Sequence, residues 1–165
     1  MIVITKSSEE TQKIAETFAK KLTSKGLNPF RGSTPKALII ALHGELGSGK
    51  TAFVQGLAKG LGIKRRIISP TFVLVREHRI KNKPSLTSYK ESRIMNLYHI
   101  DLYRIENVRE IRSLGLEEIM NDQNSIVAIE WAEKIAELLP KEKIDIHFEN
   151  VDENRRKIII ENPKY

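Results

Sequence analysis

Residues 44–51 combine the residue types and the spacing that bind a polyphosphate. They read Gly-Glu-Leu-Gly-Ser-Gly-Lys-Thr and match the pattern G-x-x-x-x-G-K-[ST] at every fixed position. Glycines let the backbone approach a ligand closely, and amide groups at the start of a helix can donate to phosphate oxygens. In this pattern the lysine reaches the β- and γ-phosphates and the hydroxyl binds Mg²⁺. We therefore expect five residues to bind a nucleotide: Gly47, Ser48, Gly49, Lys50 and Thr51.

An ordinary glycine-rich turn is the alternative interpretation of residues 44–51. The pattern would match by chance in roughly one chain of this size in a hundred. Residues 37–42 before it form a buried-strand run, Ala-Leu-Ile-Ile-Ala-Leu, and residues 52–61 after it are compatible with a helix. The pattern binds phosphate when it lies between a strand and a helix, so this context favours phosphate binding.

Two acidic residues follow apolar runs, in the kind of position where Mg²⁺ is held beside a phosphate loop. Asp101 follows the run at 94–100, and Glu130 follows the run at 126–129. Because open α/β sheets bind ligands at the C-terminal ends of their strands, either acid could hold the metal, directly or through water. Either could instead be a helix N-cap or a solvated strand end. His99 faces the same side of the strand as Asp101, although a hydrogen-bonded packing role is the default for such a histidine.

The segment Ser-Pro-Thr at 69–71 leads into a strand-like run at 73–78. Residues 81–93, before the next apolar run, are polar and turn-like, whereas a parallel crossover usually contains a helix. We therefore predict an antiparallel pair with a long flexible tip. In switch GTPases a threonine before such a pair contacts Mg²⁺ and senses the γ-phosphate. Thr71 is the candidate for that role, and a simple Ser-Pro-Thr turn is the alternative.

The other periodic patterns predict further elements around this centre. A capping box, Ser7 and Glu10, begins a helix that extends to about Lys25. The remaining predictions are a strand at 2–4, a loop at 26–35, one or two short helices within 106–120, a helix at 131–139 and a hairpin of 144–148 with 157–160. A chain of 165 residues suits one domain, residues 1–165.

The composition restricts the class of protein and the class of partner. The net charge is +7, which favours a polyanionic partner such as a nucleotide, a nucleic acid or an acidic protein surface. The basic turn at 64–66 is better explained as a solvated surface than as a nucleic-acid contact. The sequence has no cysteine, which excludes disulfides and thiolate metal sites, and no run long enough to span a bilayer. We expect a cytoplasmic protein with no membrane partner.

Several motifs together resemble those of one family, TsaE (also called YjeE), over almost the whole chain. These are the phosphate loop, Ser-Pro-Thr-Phe at 69–72, His-Ile-Asp-Leu-Tyr-Arg at 99–104, Leu-Gly-Leu-Glu-Glu at 114–118 and Glu-Trp-Ala-Glu at 130–133. The second and third motifs are much more specific than the phosphate loop, which many ATPases share. The family consists of bacterial ATPases needed to make threonylcarbamoyladenosine in tRNA.

The resemblance implies an α/β fold of the P-loop NTPase kind, in which helices flank a mixed sheet with a parallel core and antiparallel strands, in three layers. It implies Mg-ATP bound at 47–51, with Thr51 and Glu130 near the metal. Asp101 would take the Walker B position, as a metal and catalytic residue, and Thr71 the switch position. By position, the resemblance also places Thr11 and Arg156 at the nucleotide, with Arg155 as an equal rival of Arg156.

The resemblance implies a function and partners as well. The family works with the proteins TsaD and TsaB, which transfer threonylcarbamoyl to the adenosine beside the anticodon, and tRNA would be met through that complex. TsaE does not make that bond, and ATP turnover sustains the cycle. Residues 81–93 depart from the family by a longer basic segment.

Two other functions remain open from the residues alone. A small P-loop kinase suits the length and could use late arginines in a lid, but the antiparallel pair argues against it. A nucleotide-gated module that binds tRNA or a protein would need the basic turn at 64–66. A GTPase is disfavoured because the guanine-reading N-K-x-D is absent, and Asn-Lys-Pro-Ser at 82–85 lacks its acid.

Overall fold

The structure is a computed structural model that describes most of the chain. The described residues are 1–24, 36–71, 73–80, 95–107, 110–111 and 114–161. The predicted loop at 26–35, the predicted tip at 81–93 and Phe72 of the Ser-Pro-Thr-Phe motif therefore lie outside the described residues, as do parts of the region 106–120.

Strands in the described ranges form a single mixed sheet of seven. They are β1 (Ile2–Thr5), β2 (Leu38–His43), β3 (Val75–Arg79), β4 (Asn96–Asp101), β5 (Ser125–Glu130), β6 (Ile144–Asn150) and β7 (Arg156–Glu161). Their order across the sheet is β1-β7-β6-β2-β5-β4-β3. The centre is parallel, because β2 pairs with β5 and β6 and β4 pairs with β5, while β3, β7 and β1 add antiparallel pairings. The predicted mixed sheet, the β3–β4 pair and the β6–β7 hairpin are confirmed.

Helices cover both faces of this sheet, as the three-layer prediction requires. Among the described residues they include α1 (Ser8–Ser24), α2 (Lys50–Gly60), α3 (Leu116–Asn121) and a 3₁₀ helix (Ala132–Leu138). Helices α1 and α2 pack on one apolar cluster of the sheet, and α3 with the 3₁₀ helix packs on the other. The helix predicted at 131–139 is thus of 3₁₀ type and is interrupted at Ile135, where φ is −128°.

The start of α1 follows the capping pattern with one change. The backbone amide of Glu10 donates to Ser7 Oγ at 3.2 Å, as predicted. The Glu10 carboxylate in turn accepts from the amide of Lys6 at 2.7 Å, so the reciprocal bond reaches one residue further back than an ideal capping box. Both bonds satisfy amide groups that the helix itself leaves without a partner.

Glycine sets how closely α1 and α2 approach each other. A Cβ added at Gly56 would lie 2.1 Å from the carbonyl oxygen of Gln12, and one added at Gly60 would lie 2.5 Å from that of Glu16. The two helices therefore touch backbone to backbone. This contact holds α2, and with it the phosphate loop at its start, against the sheet.

Candidate functional site

A cleft of about 330 Å³ opens at the C-terminal ends of β2, β5 and β4. This is the edge where open α/β sheets bind ligands. The register places Glu130 beside Leu42 of β2 on one side and beside Asp101 of β4 on the other. Residues 46–52, Ser69, Thr71, Asp101, Tyr103, Glu130 and Trp131 line the cleft.

The phosphate loop leaves β2 and enters α2 through left-handed glycine backbone. Gly44, Gly47 and Gly49 have φ of 135°, 74° and 106°. A Cβ at Gly44 would lie 2.5 Å from the carbonyl oxygen of Phe148, so this position also needs glycine for space. The loop continues directly into the helix, since the Phe53 amide donates to the Gly49 carbonyl at 2.9 Å. The predicted strand–loop–helix context is confirmed.

Lys50 folds back over its own loop. Its Nζ donates to the carbonyl oxygens of Gly44 at 2.5 Å and Glu45 at 2.9 Å, and lies 4.0 Å from the centre of the Trp131 ring. The residue is only 4% exposed. Burial lowers the pKa of Lys50 from its ordinary value, and the negative charge of Glu130 opposes that shift. The ammonium group is thus inside the cleft, and no carboxylate of the described residues is in direct contact with it.

A chain of side-chain hydrogen bonds joins the phosphate loop to β5 and β4. Thr51 Oγ1 donates to Glu130 Oε2 at 2.9 Å, and Glu130 Oε1 lies 2.8 Å from His99 Nε2. Glu130 is 3% exposed and His99 is fully buried. Both oxygens of the carboxylate are therefore held, one by the phosphate loop and one by the interior of the sheet.

Asp101 has a different set of partners. Its Oδ2 accepts hydrogen bonds from Ser69 Oγ at 2.5 Å and Thr71 Oγ1 at 2.6 Å, and its Oδ1 accepts from the Tyr103 amide at 3.0 Å. Of the two acids left open by the sequence, Glu130 is thus the one that contacts Thr51. Asp101 instead fixes the segment that carries Thr71.

Two residues beside the cleft have backbone that non-glycine residues seldom adopt. Leu74, after the Ser-Pro-Thr segment, has φ of 62°, and Trp131, directly after Glu130, has φ of 61°. Such residues cost on the order of 1–3 kcal/mol each and cluster at functional sites. At Leu74 the backbone is tied on both sides, since its amide donates to the Pro70 carbonyl and its carbonyl accepts from the Asp101 amide.

The two residues placed by resemblance lie near different glycines of the phosphate loop. Thr11 is 2% exposed, and its hydroxyl bonds to Thr5 and Ser7, so only its methyl group approaches Gly49. Arg156 Nε lies 3.4 Å from the Gly47 carbonyl, and the same guanidinium donates to carbonyls of the β6–β7 turn. The rival Arg155 forms an ion pair with Asp152 at 2.5 Å.

In the sequence, His99 had two signals: its place two residues before Asp101 on the same face of the strand, and its position at the start of the His-Ile-Asp-Leu-Tyr-Arg motif. A packing role was nevertheless the default interpretation. The contact of His99 with Glu130 depends on the register of β4 against β5, in which His99 lies opposite Ala128. Ser69 was predicted as part of a turn and of the Ser-Pro-Thr-Phe motif, without a role of its own. Its hydroxyl donates to Asp101 and lies 2.6 Å from Thr71 Oγ1.

The cleft offers oxygen donors for a hard cation. Thr51, Glu130 and Asp101 present a hydroxyl and two carboxylates, the ligand types that Mg²⁺ prefers. Among the described residues, no group of three or more histidine or acidic side chains is arranged to hold a metal alone. A donor set of this size suits Mg²⁺ that is also bound by water and by substrate phosphates.

Within the same described ranges, none of the helices has the length and apolar character needed to cross a membrane.

Comparison with known proteins gives one family. The family described as "Threonylcarbamoyl adenosine biosynthesis protein TsaE" matches residues 5–158. The tRNA threonylcarbamoyladenosine biosynthesis protein TsaE of Bacillus subtilis is 35% identical, over 93% of this chain and 80% of that protein. The protein of the same name from Rickettsia felis is 35% identical, over 94% of this chain and 76% of its own length.

A solved structure agrees with these matches. The crystal structure of Bacillus subtilis YdiB has a TM-score of 0.65 and 29% sequence identity to this chain, and the match covers 96% of this chain and 82% of that one. A family match across nearly the whole chain, relatives at about one third identity and a shared α/β fold lead to one conclusion. This chain belongs to the TsaE family.

Proposed function

We propose that this chain binds Mg-ATP and hydrolyses it in support of threonylcarbamoyladenosine formation in tRNA. Membership of the TsaE family supports the role in that biosynthesis. One observation carries the ATPase part of the proposal. The Thr51 hydroxyl, at the start of α2, bonds Glu130 inside the same cleft that holds Lys50.

The triphosphate is bound by the phosphate loop in this account. Glycine backbone at Gly47 and Gly49 lets the amide groups of 47–51 approach phosphate oxygens, and the positive end of the α2 dipole favours the anion. Lys50 leaves the loop carbonyls that it now contacts and pairs with the β- and γ-phosphates. Arg156, beside Gly47, and Thr11, beside Gly49, are the residues that flank the nucleotide at the loop.

The metal is held by residues of this chain that the structure brings to the cleft. Thr51 supplies a hydroxyl oxygen and Glu130 a carboxylate beside it, with Asp101 one strand away. Bound Mg²⁺ supplies charge neutralisation for the phosphate oxygens. Glu130 keeps the Thr51 hydroxyl oriented by accepting a hydrogen bond from it. The lone pairs of the Thr51 oxygen then remain available to the metal.

Catalysis by this site consists of positioning and charge stabilisation. Lys50 stabilises the charge that develops on the γ-phosphoryl group. Glu130 or Asp101 orients the attacking water. Thr71, held 2.6 Å from Asp101, is the side chain that responds to the γ-phosphate.

The family membership supports action within a protein complex. We infer that the partners are TsaD and TsaB, that tRNA is met through that complex, and that the reaction takes place in the cytoplasm. Hydrolysis by the isolated chain is then slow and rises when the partners are present.

The test is phosphate release from ATP by the purified chain, alone and with TsaD, TsaB and tRNA, in Mg²⁺ and in EDTA. Free phosphate that requires Mg²⁺ and increases with the partners supports the ATPase. Phosphate on an added acceptor would favour a small kinase instead. Association with TsaD–TsaB that depends on ATP without any turnover would favour a nucleotide-gated binding module.

A further inference from the structure

His99 is a polar residue in the apolar interior beneath α2. It is fully buried in β4, where its register partner Ala128 and its strand neighbour Leu97 both belong to the apolar cluster under that helix. Its Nε2 lies 2.8 Å from Oε1 of Glu130. Its other ring nitrogen, Nδ1, is buried without a hydrogen-bond partner among the described residues.

The direction of this hydrogen bond follows from the partners of Glu130. Metal binding requires the carboxylate form of Glu130, whose oxygens can only accept hydrogen bonds, and Oε2 accepts from Thr51. In that form the Nε2–H of His99 is the donor to Oε1. The two donors approach from different elements, one from the start of α2 and one from β4, so the plane of the carboxylate is fixed.

Stability alone gives little reason for this pair. Replacing a buried polar pair with well-packed apolar side chains is often neutral or even stabilising. A leucine at position 99 would match the leucine and alanine beside it if Glu130 were replaced as well. Replacing His99 alone would instead leave the buried carboxylate without its partner. An imidazole in this place leaves one buried ring nitrogen without a hydrogen-bond partner, which destabilises the folded state.

We propose that His99 is a positioning residue, which holds the Glu130 carboxylate so that Oε2 stays on Thr51 at the metal site. This inference rests on the proposed function, because it assigns Glu130 and Thr51 to Mg-ATP. Removing a group that orients a metal-binding carboxylate typically lowers metal affinity or activity by about 10- to 100-fold.

The test compares two amides at position 99. His99→Gln places an amide donor near the position of Nε2, whereas His99→Asn is too short to reach Glu130. The control is His78→Gln on neighbouring β3, since His78 is also a buried imidazole, but it contacts Arg65 rather than Glu130. Trp131 is the one tryptophan of the sequence and lines the cleft, so its fluorescence measures nucleotide binding without any turnover.

Each protein is titrated with ATP in Mg²⁺ and in EDTA, and kcat and KM are measured separately. We expect His99→Asn to lose about 10- to 100-fold in Mg²⁺-dependent ATP affinity or in kcat. ATP binding by His99→Asn in EDTA should equal that of the unsubstituted chain. His99→Gln should retain most of the Mg²⁺-dependent affinity and of kcat. The His78→Gln control should retain the Mg²⁺ effect.

The outcomes separate this inference from the proposed function. If the unsubstituted chain shows no Mg²⁺-dependent binding or hydrolysis of ATP, the proposed function fails. If the unsubstituted chain binds and hydrolyses ATP with Mg²⁺ and His99→Asn does so equally well, the positioning role is overturned. Equal loss in His99→Asn and His99→Gln, or loss of folding in both, would also overturn it, because the imidazole would then serve packing alone.

Discussion

The Thr51 hydroxyl donates a 2.9 Å hydrogen bond to Glu130, which lies 79 positions later in the chain. This bond connects the first turn of α2 to the end of β5, the strand beside the one that carries the phosphate loop. The phosphate-binding and acidic parts of the cleft are therefore joined by a direct hydrogen bond. Several expectations depend on this connection.

Removal of the Thr51 hydroxyl should weaken the use of Mg-ATP. Thr51→Ala leaves Glu130 without that donor and removes the hydroxyl that we assign to the metal, so kcat/KM should fall by about 10- to 100-fold. Thr51→Ser keeps the hydroxyl and is the matched control. The measurement is ATP hydrolysis over a range of Mg²⁺ concentrations, and equal kinetics in the alanine and serine variants would contradict this role.

Thr71 should affect turnover more than binding. Thr71→Val has nearly the same shape but cannot donate to Asp101 or respond to the γ-phosphate. We expect ATP affinity, followed by Trp131 fluorescence, to change little while kcat falls. Thr71→Ser should keep most of the rate. A Thr71→Val variant with undiminished kcat would mean that residues 69–71 form only a structural turn.

The sequence predicted the parts of the site that have local signals. The phosphate loop is a contiguous pattern, and the antiparallel β3–β4 pair followed from a polar segment with no helical periodicity. The contacts between distant residues did not follow from any local signal. The Arg156 to Gly47 contact joins residues 109 positions apart, and the contact of His99 with Glu130 depends on strand register.

The choice between the two acids shows the same limit. Asp101 and Glu130 both follow apolar runs, and nothing local distinguishes them. Their partners differ because β5 lies beside the phosphate-loop strand and β4 lies one strand further away. Strand order is a tertiary property, so this difference emerges only when the sheet is assembled.

Helix packing gives a prediction about stability. Gly56→Ala would place a Cβ 2.1 Å from the Gln12 carbonyl oxygen, and neither backbone can yield unless α1 and α2 move apart. We expect a loss of at least about 2 kcal/mol in the free energy of unfolding, measured in urea. Lys13→Ala, at an exposed position of α1, should change it by under about 0.5 kcal/mol. A neutral Gly56→Ala would show that the helices are less tightly packed.

His78 should make the protein less stable in acid. Burial, followed by the positive charge of Arg65, lowers the pKa of His78 from 6.5 to about 4. The folded state therefore disfavours the protonated ring. The neutral ring's contribution to the free energy of unfolding is fully present above pH 6.5 and is lost as the pH falls from 6.5 towards 4. Its upper bound is on the order of 3 kcal/mol.

The measurement is the free energy of unfolding against pH for the unsubstituted chain and for His78→Gln. The difference between the two curves should change between pH 6.5 and 4 and stay level above that range. Curves that run parallel across the whole range would mean that His78 has an ordinary pKa in the folded protein.

The variant Lys50→Ala tests whether the phosphate loop binds ATP for hydrolysis. The variant removes the ammonium group that we assign to the β- and γ-phosphates, and it should leave the sheet intact, as shown by an unchanged circular dichroism spectrum. The measurement is phosphate release from Mg-ATP in the presence of TsaD, TsaB and tRNA. We predict that Lys50→Ala abolishes turnover, whereas hydrolysis at the rate of the unsubstituted chain would contradict the assignment.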